Sequence, residues 1–264
     1  MMRQGISTTA LKILAIVAMV CDHAPYLVQG WQELYYVYPF VLLHSFGRLT
    51  APIFFYLLAL GYRRTRNANR YTIRLLIFAI ISYVPYIWYF KGALPNQQNF
   101  MELNIVFTML VGLLILRAVH EIKSIPLKAF CIVLCLLLGY WCDYGLYGIA
   151  IILVCDVARE SRKGTIVGMA AVILVYSYVR FGNIFPSGAG PFEHIAQMSA
   201  NPGISTYLFL LLCQFLPLLF IALHRRWYEG ALTEKRPSFL AKWGFYIFYP
   251  AHITVLLLMK LFIM

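Results

Sequence analysis

Two adjacent ionisable residues, Asp22 and His23, lie inside the apolar stretch Leu11 to Val28. An aspartate at the centre of a membrane helix costs about 2.5 to 3.5 kcal/mol on insertion scales, so residues of this kind are kept for function. Four more pairs of polar residues interrupt apolar runs further along. His44 and Arg48 stand at i, i+4 and share one helix face, and Asn104 and Thr108 repeat that spacing. Asp143 and Tyr144 mark the junction of two apolar runs, and Tyr249 and His252 flank Pro250, which removes a backbone hydrogen bond and favours a kink. Histidines and carboxylates at lipid depth suit proton transfer, and Arg48, Asn104 or Tyr249 can donate to a developing anion. Structural readings stand beside these. Asp22 and Arg48 can neutralise each other as an ion pair, Asn104 and Thr108 can serve as interhelical hydrogen-bond glue, and His44 can be interfacial.

A second cluster has the opposite character. Arg63, Arg64, Arg66, Arg70 and Arg74 place five guanidinium groups within 12 residues. Such a set can hold a polyanion through charge-assisted hydrogen bonds, and it can equally fix membrane topology.

The elements that must position these groups are transmembrane helices. Of the 264 residues 62% are hydrophobic and only 12% charged, with a mean hydropathy of +0.75. Soluble domains average about 25% charged residues, so a polytopic membrane protein is indicated. We expect an all-α helix bundle forming a single domain over residues 1–264. About nine spans are predicted: Leu11 to Val28, Val37 to Tyr62, Ile73 to Phe90, Leu103 to Val119, Leu127 to Cys142, Tyr144 to Val157, Thr165 to Phe181, Ile204 to Leu223 and Leu240 to Ile263. The fifth and sixth are short and share the turn Asp143-Tyr144-Gly145, so 127–157 can also form a re-entrant hairpin. The first segment lacks a small-residue cleavage site and reads as a retained helix.

The net charge of +12 does not point to nucleic acid, because the basic residues fall at the ends of apolar segments. With the N-terminus inside, the cytoplasmic segments hold the five arginines of 63–74 together with the Lys and Arg residues near 3–12, 117–128, 159–163 and 225–242. The opposite side receives only Lys91, Arg180 and Lys260. That asymmetry predicts a cytoplasmic N-terminus and an outside C-terminus. The Gly- and Pro-rich segment 182–203 is expected as an irregular outer loop. The six cysteines lie in or beside apolar runs without a CxxC pair and read as small apolar residues, with no metal site expected.

Several stretches, taken in order, resemble the TraX family. They are Leu11-Lys12-Ile13 leading to Asp22-His23, Gly47-Arg48 with Pro52-Ile53-Phe54, and Arg74 to Ala79 with Ser82 and Pro85. Asn104 with Phe107-Thr108, Asp143 to Gly148, and Phe245 to Pro250 with His252 complete the set. The family takes its name from a conjugative-pilus protein that N-acetylates pilin. The resemblance implies an acetyl-CoA-dependent N-acetyltransferase of the bacterial inner membrane. It would pass an acetyl group from cytoplasmic acetyl-CoA to an amine at the outer half of the membrane, either the N-terminus of an exported protein such as pilin or a small amine or sugar. On that reading acetyl-CoA is a cosubstrate and the Arg63 to Arg74 set receives its phosphates. His23 is the general base, supported by Asp22, His252 and Arg48, with His252 the second choice of base. Asp22 stabilises the imidazolium or orients a histidine across the bundle, with His252 as the expected partner. His44, Asn104, Thr108, Asp143, Tyr144 and Tyr249 then line the acceptor side. The alternative from another class is a proton-coupled transporter with Asp22, His23 and His252 as its relay.

Overall fold

A computed structural model describes residues 5–28, 40–182, 209–225, 227 and 239–263, with no side-chain account of 180–182 and 239–242. The expected outer loop from residue 183 onward, the start of the eighth span and most of the basic residues of 226–242 lie outside the described residues. Among those described, regular structure is helical throughout.

The first helix, α1 (Thr8–His23), is capped by Ser7, whose hydroxyl accepts from the Ala10 N–H. A 3-10 turn, Ala24–Leu27, carries it on with Pro25 in its first turn. The expected second span forms as two pieces, α2 (Phe40–Gly47) and α3 (Thr50–Arg64). Pro52 explains the interruption, since it has no N–H for the carbonyl of Arg48, four residues earlier. At the break the Arg48 N–H is shared between the His44 and Ser45 carbonyls, at 3.2 and 3.3 Å.

Helix α4 (Ala68–Lys91) starts at an Asn67 cap and stops at Gly92, whose φ of 72° is the left-handed conformation that glycine adopts without strain. Helix α5 (Ile105–Glu121) starts at Asn104 and runs almost wholly buried through the centre of the bundle. Helices α6 (Ile125–Gly139) and α7 (Gly145–Val157) follow, joined by a turn in which the Leu103 N–H donates to the Trp141 carbonyl and the Asp143 N–H donates to the Leu103 carbonyl. Helices α8 (Arg162–Gly182), α9 (Leu216–Ala222) and α10 (Phe239–Ile263) complete the described chain.

Five segments are long and apolar enough to cross a membrane: Thr8–Leu27, Phe40–Arg64, Ala68–Lys91, Arg162–Val179 and Trp243–Ile263. The hairpin pieces α6 and α7 are shorter apolar helices, as is Phe209–Ala222. With 15 and 13 residues, α6 and α7 each extend about 20 Å, less than the roughly 30 Å hydrocarbon core.

Lipid is as apolar as leucine, so packing and internal hydrogen bonds hold such a bundle together. Helix α7 reaches α3 and α5 through Gly148, where a Cβ would stand 2.7 Å from both Phe55 and Thr108. Helix α1 runs antiparallel to α2 and α3: Asp22 meets His44, and the Thr50 hydroxyl donates to the Ala15 carbonyl at 3.2 Å. One end of the bundle therefore collects Asp22, His23, His44 and His252, and the other holds the arginines of 63–74.

Candidate functional site

At the histidine end, α1 delivers Asp22 and His23 in different directions, because successive helical residues point about 100° apart. His23 turns to α10. Its Nδ1 lies 2.9 Å from Nε2 of His252, with the two rings stacked at a centroid separation of 5.1 Å. His252, buried in the bundle, places its own Nδ1 3.0 Å from the Phe248 carbonyl. A carbonyl only accepts, so Nδ1 of His252 carries the proton, and in the neutral ring Nε2 is an acceptor. His23 must then donate from Nδ1, which leaves its Nε2 as the basic nitrogen. The Tyr89 hydroxyl donates to the His23 carbonyl at 2.8 Å, and Phe90 meets the imidazole edge-on at 5.0 Å. Contacts with α4 and α10 thus fix both the position and the tautomer of His23.

Asp22 turns to the break between α2 and α3. One carboxylate oxygen lies 3.1 Å from Nδ1 of His44, a side chain only 3% exposed. Its side chain fills the space that a Cβ on Gly47 would occupy, so the glycine is what admits the carboxylate. The expectation that Asp22 orients His252 is corrected here: Asp22 holds His44, and His252 belongs to His23.

Arg48, His23 and His44 are all within electrostatic reach of Asp22. Asp143 and Tyr144, from the α6–α7 turn, also lie within electrostatic reach of Asp22 and Arg48. Tyr144 adopts a φ of 61°, the one left-handed non-glycine residue among those described. Tyr249, 1% exposed, lies within electrostatic reach of Asp143 and Tyr144, and its ring meets that of His252 at 5.5 Å. The tertiary structure therefore gathers Asp22, His23, His44, Arg48, Asp143, Tyr144, Tyr249 and His252 around one end of α1.

Asn104 and Thr108 serve that turn. The Asn104 carbonyl oxygen caps α5 by accepting from the Val106 N–H, and its amide donates to the Ala79 carbonyl at 3.0 Å. The Thr108 hydroxyl donates to the Asp143 carbonyl. Both residues hold the segment that presents Asp143 and Tyr144.

At the other end the five arginines divide. Arg63 is bound in bidentate fashion to Asp156 of α7, at 2.6 and 3.0 Å, and His120 of α5 reaches the same carboxylate at 2.7 Å. Asp156 is 4% exposed, so Arg63 neutralises a buried carboxylate, a commitment that competes with the expected role in binding an anion. Arg74 lies among the rings of Tyr71, Trp243 and Tyr246. Arg64, Arg66 and Arg70 are exposed. A cavity of about 330 Å³ opens beside Arg66, Asn67, Asn69, Arg117 and Glu121.

Sequence reasoning passed over Asp156, although an acid inside the apolar run 145–157 was a visible signal. It also passed over His224, which is fully buried 2.7 Å from the Tyr56 hydroxyl and 3.0 Å from the Thr8 hydroxyl. Its position at the edge of an apolar run made it look like a flanking residue.

Comparison with known proteins places the chain in a family. The family model described as TraX protein matches residues 7–260. The chain belongs to the TraX family. It is similar to the probable fimbrial assembly protein FimC, serogroup H1, of Dichelobacter nodosus, at 27% identity over 266 residues and 97% of each chain. No solved structure matches it. The match to TraX runs through α1, α2, α4 and α10, the helices that carry the histidine pair and its neighbours.

Proposed function

We propose that this member of the TraX family is an integral-membrane acetyltransferase of the bacterial inner membrane that moves an acetyl group from acetyl-CoA to an amine. The observation that carries the reading is the ordered chain from the Phe248 carbonyl through His252 to His23. It leaves Nε2 of His23 basic at the end of the bundle opposite the arginines. The arginine-rich end faces the cytoplasm and receives the coenzyme, following the distribution of Lys and Arg. The acceptor arrives from the other side, and the fimbrial assembly name of the relative makes the N-terminal amine of an exported fimbrial subunit the first acceptor to try.

In the reaction, Nε2 of His23 takes a proton from the acceptor nitrogen, whose lone pair attacks the thioester carbonyl carbon. The negative charge that builds on the carbonyl oxygen is met by Arg48 or by the Tyr249 hydroxyl. The new C–N bond forms, the C–S bond breaks, and coenzyme A leaves as a thiolate that takes up the proton. The products are an amide and free coenzyme A. Asp22 offsets the positive charge that Arg48 and the protonated His23 bring into the site.

The test uses purified protein in detergent, acetyl-CoA labelled in its acetyl group, and a peptide amine as acceptor. Positioned acid–base groups contribute about 10²- to 10⁴-fold to rate, so His23→Ala should lose transfer by that factor and still bind acetyl-CoA. Full transfer by His23→Ala would sink the assignment of the base. Failure of the wild type to bind any coenzyme would favour a proton-coupled transporter.

A further inference from the structure

Arg74 differs from Arg63 and Arg117 at its end of the bundle. Arg63 is taken up by Asp156, and Arg117 by Glu121, Asn69 and Thr72. Among the described residues Arg74 has no carboxylate partner. Its guanidinium carbon lies 5.6 Å from the ring centroid of Tyr71, 5.5 Å from Trp243 and 5.9 Å from Tyr246. Nε of Arg74 is buried without a hydrogen-bond partner among the described residues. Three aromatic rings hold the guanidinium plane in one place without cancelling its charge. A rigid, weakly hydrated fork of donors is suited to a phosphate, and the flanking indole and phenol rings suit a flat base.

The position of this box matters as much as its chemistry. Trp243 and Tyr246 share α10 with Tyr249 and His252. Trp243 and His252 are nine residues apart, which is about 13 Å along a helix axis. The partner helix α4 likewise carries Tyr71 and Arg74 at one end and Tyr89, which bonds the His23 backbone, at the other. The α4–α10 seam thus runs from a cation with no carboxylate partner among the described residues to the basic nitrogen.

We infer that Arg74, boxed by Tyr71, Trp243 and Tyr246 at the foot of that seam, binds a phosphate of the acyl donor, a nucleotide that carries its acyl group on a long flexible arm. The inference rests on the acetyltransferase reading and refines it: Arg74 clamps the donor, while Arg63 serves the fold. A phosphate ester can also come from a lipid headgroup, and the experiment separates the two sources.

Full-length protein in detergent is titrated calorimetrically with coenzyme A, with pantetheine, which lacks the phosphates, and with coenzyme A in the presence of phosphatidylglycerol. Loss of one charged hydrogen-bonding partner lowers affinity by about ten- to a hundredfold, so Arg74→Gln should weaken coenzyme A by that factor and leave pantetheine unchanged. Arg74→Lys keeps the charge in the box but loses the fork. It should fall between the two and depend more steeply on salt, which keeps the inference testable if Arg74→Gln fails to fold. Lys128→Gln, at the same end of the bundle, should bind like the wild type. Wild-type affinity for coenzyme A in both Arg74 variants overturns the clamp alone. Displacement of coenzyme A by phosphatidylglycerol overturns it too, by making the box a lipid site. A wild type that binds pantetheine and coenzyme A equally removes the phosphate clamp, and one that binds neither removes the acetyltransferase reading itself.

Discussion

Replacing His252 is the sharpest probe of the proposed mechanism, because on that proposal His252 positions His23 and His23 moves the proton. His252 offers His23 one hydrogen bond of 2.9 Å and is itself fixed by one of 3.0 Å to the Phe248 carbonyl. A hydrogen bond of this kind contributes about 0.5 to 1.5 kcal/mol net. Losing it frees the imidazole to adopt its other tautomer, with Nε2 protonated and unable to accept. At about 1.4 kcal/mol per factor of ten, His252→Phe should lower kcat by about three- to tenfold with KM little changed. Loss of the base itself, in His23→Ala, is expected to cost about 10²- to 10⁴-fold. The amide oxygen of a glutamine can accept from Nδ1 of His23, so His252→Gln should recover part of the rate, which a merely structural role would not allow. The assay is single-turnover transfer from labelled acetyl-CoA at saturating acceptor, with thermal unfolding in detergent as a check on the fold. If His252→Phe were as inactive as His23→Ala while His23→Ala kept measurable activity, the two histidines would have to exchange roles.

Two further outcomes follow from the packing. Arg63→Gln leaves the buried carboxylate of Asp156 to His120 alone, which at this partly exposed pair should cost about 1 to 3 kcal/mol, seen as a lower melting temperature with coenzyme A affinity retained. Asp156→Asn in the same chain should restore much of that loss, and a selective loss of coenzyme binding in Arg63→Gln would contradict the division of labour among the arginines. Gly47→Ala puts a methyl group into the space held by the Asp22 side chain. Overpacking of this type costs about 1 to 3 kcal/mol, so the variant should be less stable and should lose activity as Asp22 leaves His44; wild-type kinetics in a folded Gly47→Ala chain would count against a role for that pair.

Much of this protein can be read from its residues one at a time. The apolar runs predict a helical membrane bundle because backbone polar groups in lipid must pair within a helix. The caps Ser7, Asn67 and Asn104 and the stop at Gly92 lie where the residue types favour them. The polar positions, from Asp22 to His252, stand out by their cost against the apolar background, and their order carries the family.

Tertiary packing decided which of them meet. His23 and His252 are 229 positions apart, and Asp22 and His44 are 22 apart across a segment with no periodic signal to set their register. Asp22 and His23 are neighbours in the chain, yet they serve different helices, because a helix turns each side chain away from the last. The same holds for the arginines. Five equal residues in a basic loop became one ion-paired group on Asp156, one caged by aromatic rings and three exposed, since the helix that faces each side chain determines what its charge can do. Composition and spacing determined the helices and most of the polar groups inside them. The crossing of α1, α4 and α10 determined which histidine keeps a free lone pair.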